Sequence, residues 1–195
     1  MEGCNRLAAA LSARESKLHV LINNSGTSWG EPFETHGSKG WDKVMELNLK
    51  TPFFLTRALL PLLDRAASPA DPARIIMIGS IAGLRPQPFP TFAYDCSKAA
   101  LHHLSRKLAD ELADRTAKGG SLVTVNVIAP GYVPSKMSAQ LAEYSSAEDT
   151  AARTPLKRMG NAADMAGAAL FLSSAAGSWI TGAVIPVDGG VTAKL

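Results

Sequence analysis

The chain has 195 residues, of which 46% are hydrophobic and 19% charged, and a formal net charge of +3. That length and balance describe one globular domain with a real core and exclude a disordered chain, while Lys and Arg scattered without a basic block argue against nucleic acid. Only Cys4 and Cys96 are present, and no apolar run suffices for a membrane span or a signal-peptide core, so we expect a soluble, cytoplasmic protein without structural zinc.

In chain order, Gly3 to Arg14 has helical spacing, with Leu7, Ala8 and Leu11 on one face. Leu18-His19-Val20-Leu21-Ile22 is a short continuous apolar run, the pattern of a parallel strand covered on both faces, and it runs into the turn Asn23-Asn24-Ser25-Gly26. From Gly40 to Arg65 the pattern predicts one long helix or two abutting ones, with Pro52 and Pro61 as candidate kinks. Asn48 lies inside it among apolar neighbours, where an asparagine is unfavourable unless its carboxamide, or a freed carbonyl beside it, has a partner.

Residues 75–79 read as a buried strand, about Phe92 to Arg115 as a helix, 122–128 as the clearest strand, and 183–187 as a last strand closed by Asp188-Gly189-Gly190. Asn161 is placed to cap a helix through Ser173. Lys136 to Arg158 is polar and alanine-rich without a clear period, and we read it as a lid over a pocket. Strands alternating with helices imply a parallel, doubly wound α/β sheet. The four histidines, His19, His36, His102 and His103, show no ligand spacing and are read as structural or surface groups.

The stretch from Ser80 to Lys98 carries the chemistry. Tyr94 and Lys98 are four apart and share one helix face, which sets an ammonium beside a phenol. The cation is expected to lower the phenol's pKa from about 10 and make Tyr94 a proton donor. Ser80, at the carboxyl end of a strand, would face it across a carbonyl or alcohol oxygen. Taken alone, the pair also fits an ordinary strand-loop-helix unit with a surface Tyr and Lys.

The remaining motifs decide between these readings, because together the chain resembles a short-chain dehydrogenase/reductase. Asn23-Asn24-Ser25-Gly26 is similar to that family's Asn-Asn-Ala-Gly turn, and Asn48, Ser80, Tyr94 and Lys98 match its catalytic tetrad. Pro130-Gly131 matches the segment flanking the nicotinamide, and Val187-Asp188-Gly189-Gly190 the usual last strand. The resemblance implies that Tyr94 exchanges a proton with the substrate oxygen, and that Lys98 lowers its pKa while holding the nicotinamide ribose. It further implies that Ser80 hydrogen-bonds the substrate oxygen and that Asn48 holds a water relaying protons to Lys98. Asn24, Ser25, Gly26, Tyr94, Lys98, Pro130, Gly131, Val133 and Ser135 would line an NADP or NAD site, NADP being preferred, with Val133 and Ser135 at the carboxamide.

The departure is at the front. There is no Thr-Gly-x-x-x-Gly-x-Gly, and the chain opens at the helix before what would be the family's fourth strand. We therefore expect an N-terminally truncated, Rossmann-like sheet in one incomplete domain over 1–195, with a lid at 136–158 and an apolar unpaired edge on the strand at 18–23. Two functions follow: an NAD(P)-dependent carbonyl reductase or alcohol dehydrogenase, nearest to 3-oxoacyl reductase-like members and reductases of secondary metabolism, or a non-catalytic relic or interaction module. Ser80's loop through Leu84, Arg85, Gln87 and Phe89 would line the substrate pocket with Tyr132, Met137 and Leu141. The helices at 40–65 and 92–115 would form a homo-oligomer. The terminal Ala193-Lys194-Leu195 is similar to a peroxisomal address, an alternative to the cytoplasm.

Overall fold

Alternate residues of each apolar run must face opposite sides of a sheet, so a strand hydrophobic throughout needs cover on both faces. The computed structural model, which describes residues 1–117, 119–139 and 145–193, shows four such strands. They are β1 (Val20–Asn23), β2 (Ala73–Ile78), β3 (Val123–Pro130) and β4 (Val184–Val187), all parallel and in the spatial order β1-β2-β3-β4. Leu21 lies beside Ile75, Ile75 beside Val125, and Ile128 beside Ile185. Leu141 and the terminal Lys194-Leu195 fall outside the described residues.

Parallel neighbours need long crossovers, and the helices supply them. Helix α1 (Glu2–Ser12) precedes β1; α2 (Ser38–Met45) and α3 (Thr51–Ala66) lead to β2, and α4 (Phe92–Ala117) to β3. Between β3 and β4 lie α5 (Ala147–Arg153) and α6 (Ala162–Ser173). Ile75 and Met77 pack with Leu59, Leu62 and Leu63 of α3 and with Leu101 and Leu112 of α4. Their neighbour Ile76 points the other way and packs with Ile128 and Leu172 of α6. The sheet is thus doubly wound, as expected. β1 is an outer strand of the described sheet, and Ile22 on it is 42% exposed.

Two buried polar residues in the strands tie neighbouring segments to the sheet. Asn126 of β3 donates to the Ile180 carbonyl at 2.6 Å and accepts from the Ala183 amide at 3.1 Å, fixing the approach to β4. Arg74 of β2 meets Asp71 at 2.6 Å and the Ser174 carbonyl at 3.2 Å, which holds the end of α6 against the sheet.

Two segments differ from the sequence reading. The long helix expected over 40–65 is continuous but passes through a π-helical turn at Glu46–Lys50, joining α2 to α3. Pro52 opens α3 and has no N–H, so it cannot donate to the carbonyl of Asn48 four residues back. Pro61 lies inside α3 without ending it. Within the stretch read as an aperiodic lid, residues 147–153 form α5, because Ser146 accepts the Asp149 amide at 3.0 Å and Glu148 and Asp149 occupy the positive first turn. No helix among the described residues is long and apolar enough to cross a membrane.

Candidate active site

The carboxyl ends of β1, β2 and β3 open into one cavity of about 1280 Å3. Ser80 follows β2 in extended conformation and caps a short 3-10 turn at Ile81–Gly83, its Oγ accepting the Ala82 amide at 3.1 Å. That bond leaves the Ser80 hydroxyl proton free to donate into the cavity. Thr91 and Asp95 then set the start of α4: the Thr91 hydroxyl donates to Asp95 at 2.9 Å, and the Gln87 amide donates to the other carboxylate oxygen at 3.0 Å. Tyr94 and Lys98, one turn apart on α4, face the same cavity, with the ammonium 5.6 Å from the centre of the phenol ring.

The electrostatics differ from the expectation. Burial is the largest influence on Tyr94 and raises its pKa; a hydrogen bond with the Ser80 side chain works the other way, and the charge of Asp95 adds to the rise. Burial thus outweighs the neighbouring cation: Lys98 is itself buried, its pKa pulled down to about 8 by desolvation, and its Nζ turns to the Ile78 carbonyl at 2.7 Å. The hydroxyl of Ser80 favours the phenolate against that burial.

Asn48, fully buried in the π-helical turn, is pinned on all sides. Its Oδ1 accepts the Thr27 amide at 2.8 Å, and its Nδ2 donates to the Thr27 carbonyl at 2.9 Å and the Ser97 hydroxyl at 3.0 Å. The carboxamide partner expected for an interior asparagine is therefore present. Gly26 lies between the two polar groups: a Cβ there would stand 3.3 Å from Asn48 Oδ1 and 3.7 Å from Lys98 Nζ. A side chain at residue 26 would press on the Asn48 carboxamide and would touch Lys98 at ordinary contact distance.

The opposite wall is the segment after β3. Gly131 donates to the Val187 carbonyl at 3.0 Å, and a Cβ on it would stand 2.7 Å from Asp188 Cα, so the close pairing of this turn with the end of β4 requires glycine. Burial raises the pKa of Asp188, but hydrogen bonds from Thr192 and Gly190 outweigh it and keep the carboxylate acidic. Tyr132 donates its phenol proton to Gln87 Oε1 at 2.8 Å, bridging this wall to Ser80's loop. Ser135 and Ser138 bond mutually, the Ser135 amide donating at 2.7 Å and the Ser138 amide at 3.0 Å.

Of the residues singled out in the sequence, Asn24, Gly26, Ser80, Tyr94, Lys98, Pro130, Gly131, Val133 and Ser135 line the cavity together. Asn48 sits behind Gly26 and Lys98, while Ser25 is exposed and is not among the lining residues. Sequence reasoning missed Thr27 and Ser97, which orient Asn48; Met165 and Ala169 of α6, which floor the cavity; and Lys43, which lines it. The signal for Thr27 and Ser97 was their polarity beside motif residues.

The family model described as enoyl-(acyl carrier protein) reductase matches residues 1–192. The chain is 47% identical over 189 residues to the rhamnolipids biosynthesis 3-oxoacyl-[acyl-carrier-protein] reductase of Pseudomonas aeruginosa, covering 96% of this chain and 72% of that one. It is 36% identical over 190 residues to a galactitol 2-dehydrogenase (L-tagatose-forming) of Cereibacter sphaeroides, covering 95% and 70%. Among solved structures, the active-site complex of Pseudomonas aeruginosa RhlG with NADP superposes with a TM-score of 0.89 at 45% identity, covering 97% of this chain and 72% of that chain. With this architecture and these relatives, the chain belongs to the short-chain dehydrogenase/reductase family of NAD(P)-dependent oxidoreductases that interconvert carbonyls and alcohols.

Proposed function

We propose that this chain reduces the ketone of a 3-oxoacyl-type substrate, with NADPH as the preferred cofactor and Ser80, Tyr94 and Lys98 handling the proton. The observation that carries the proposal is the convergence of Ser80, Tyr94 and the buried Lys98 on one cavity at the carboxyl ends of parallel strands. The similarity to a 3-oxoacyl-[acyl-carrier-protein] reductase supports the substrate class, and the NADP complex of a structural neighbour supports the cofactor.

The residues present fit the nicotinamide-ribose end of such a cofactor. Lys98 is 4% exposed, and Ile78 is its sole hydrogen-bond acceptor among the described residues, so two of its three N–H donors face the cavity unspent. Ribose hydroxyls would satisfy them. Val133 and Ser135 stand on the opposite wall for the carboxamide, and for Ser135 to reach it the Ser135–Ser138 turn must open. When bound, the cofactor supplies the hydride.

The protein's own groups do the rest. Ser80 donates its hydroxyl proton to the substrate oxygen, its Oγ held by the Ala82 amide. The Tyr94 phenol, kept protonated by burial, is a proton donor aimed at the same oxygen, and the charge that develops there is stabilised by both groups at once. Lys98 holds a positive charge beside the phenol that loses its proton. Asn48's carboxamide is spent on Thr27 and Ser97, so a relay water would bond its backbone carbonyl, the one Pro52 cannot reach. We place self-association on α2, α3 and α4, supported by the edge-to-face pairs of Phe33 with Phe92 and His36 with Trp41 on α4, α2 and the loop before them, of which Phe33, Trp41 and Phe92 are exposed. A reducing cytoplasm suits the two unpaired thiols of Cys4 and Cys96.

The test is NADPH oxidation by the purified chain with 3-oxoacyl thioesters and with simple sugar ketones. Turnover favouring the thioesters supports the reading; turnover of the sugars alone, or of NADH over NADPH, overturns the substrate or cofactor assignment respectively.

A further inference from the structure

His102 lies one turn beyond Lys98 on α4 and is 2% exposed. Its Nε2 accepts the backbone amide of Ser80 at 3.4 Å, which joins the imidazole to the loop after β2. The two glycines bracketing Ser80's turn are shaped to that ring. A Cβ on Gly79 would stand 2.3 Å from His102 Nε2, and one on Gly83 would stand 2.7 Å from His102 Cε1. Neither glycine has a positive φ, so it is the imidazole's volume, together with Val127 beside Gly79 and the α4 backbone at Lys98 and Ala99 beside Gly83, that leaves no room for a side chain at these two positions. The loop carrying Ser80 is therefore wrapped around His102.

An imidazole that accepts at Nε2 is neutral and carries its proton on Nδ1. The surroundings enforce this: burial first, then the charges of Lys98 and Arg106, hold the His102 pKa down to about 4. Nδ1 is buried without a partner of normal hydrogen-bond geometry among the described residues, although the Gly83 backbone is near enough to favour the protonated ring slightly. A group this constrained, one residue behind the hydroxyl that meets the substrate, does more than fill space.

We propose that His102 is a positioning residue for the reaction: it fixes the Ser80 amide, and through it the Ser80 hydroxyl, at the distance from Tyr94 that the substrate oxygen needs. The inference rests on the role given to Ser80 above. It assigns a function to a histidine outside the four residues matched to the family's tetrad, and it explains why Gly79 and Gly83 flank the serine.

The test compares His102→Leu, which keeps the volume and removes the acceptor, with His102→Gln, whose Oε1 can reach the position of Nε2. His102→Asn, one bond too short, replaces the leucine variant if that does not fold. Expected for His102→Leu or His102→Asn is a kcat loss on the order of tenfold, the size of one lost hydrogen bond, with the KM for NADPH within about twofold and faster hydrogen exchange at the Ser80 amide. His102→Gln should recover both kcat and amide protection. Equal losses in the glutamine and leucine variants, or unchanged Ser80 protection in the leucine variant, would overturn the inference. Should Ser80→Ala retain full turnover, the reading of Ser80 itself fails and His102 has no catalytic group to position; the amide-exchange pattern distinguishes that outcome from a misplaced His102.

Discussion

On one wall of the cavity, Ser80, Tyr94, Lys98 and Asn48 hang from the ends of β2, α4 and the π-helical turn, buried or half-buried, and Ser80, Lys98 and Asn48 are held by bonds that reach across the fold. On the other wall, residues 131–138 are half-buried to exposed and keep their shape mainly through bonds of short range, such as those between Ser135 and Ser138. The contrast separates two tasks. The groups proposed to handle the proton are desolvated and fixed before any substrate arrives, so their pKa values are set by the core. The segment that would meet cofactor and substrate is cheap to rearrange, and the Tyr132–Gln87 bond is its main tie to the rigid wall.

The difference can be broken from either side. Ser80→Ala should cost about a hundredfold in kcat, within the range of groups that act on the reacting atoms, with little change in NADPH affinity; steady-state kinetics and fluorescence titration check both halves. Lys98→Met should separate stability from function. Because the folded-state pKa of Lys98, about 8, lies below its ordinary 10.5, the unfolded chain holds more protons between these values. Wild-type stability should therefore rise with pH from about 8, until Tyr94, whose pKa is raised, opposes the trend above about 10. The methionine variant should lack that rise and be more stable at pH 7 by up to roughly 3 kcal/mol, as read by urea melts across pH, while losing activity.

On the softer wall the effects shrink. Gly131→Ala must push the chain away from Asp188, which should destabilise by about 1–3 kcal/mol and weaken NADPH binding. Tyr132→Phe removes only the bond to Gln87 and should change the KM for the carbonyl substrate about threefold without moving kcat. A hundredfold kcat loss in Tyr132→Phe would mean that both walls are equally committed to the chemistry.

The alternation of apolar runs and helices was legible because both sheet faces are covered, which leaves continuous hydrophobic stretches such as Ile75-Ile76-Met77. Spacing alone brought Tyr94 and Lys98 together. What spacing cannot supply is burial, and burial reverses the expected direction of the Tyr94 pKa. The π-helical turn was hidden as well, since one extra residue in a helix leaves the apolar pattern readable as two abutting faces; Pro52 was its trace. His102 passed for a packing or surface histidine because its partner, the Ser80 amide, is a backbone group with no sequence signature. Helix α5 was missed since seven residues are too few for a period to show, although Ser146 and Asp149 stood at capping distance.

The most direct measurement of the central claim is the reaction of Tyr94→Phe beside its NADPH titration. If Tyr94 gives the proton, the phenylalanine variant should lose about a thousandfold or more in kcat while its Kd for NADPH stays within about twofold of wild type, since the ring and the Lys98 contacts remain. A variant that turns over at the wild-type rate would remove Tyr94 from the chemistry and, with it, the assignment of this wall as the proton-handling site.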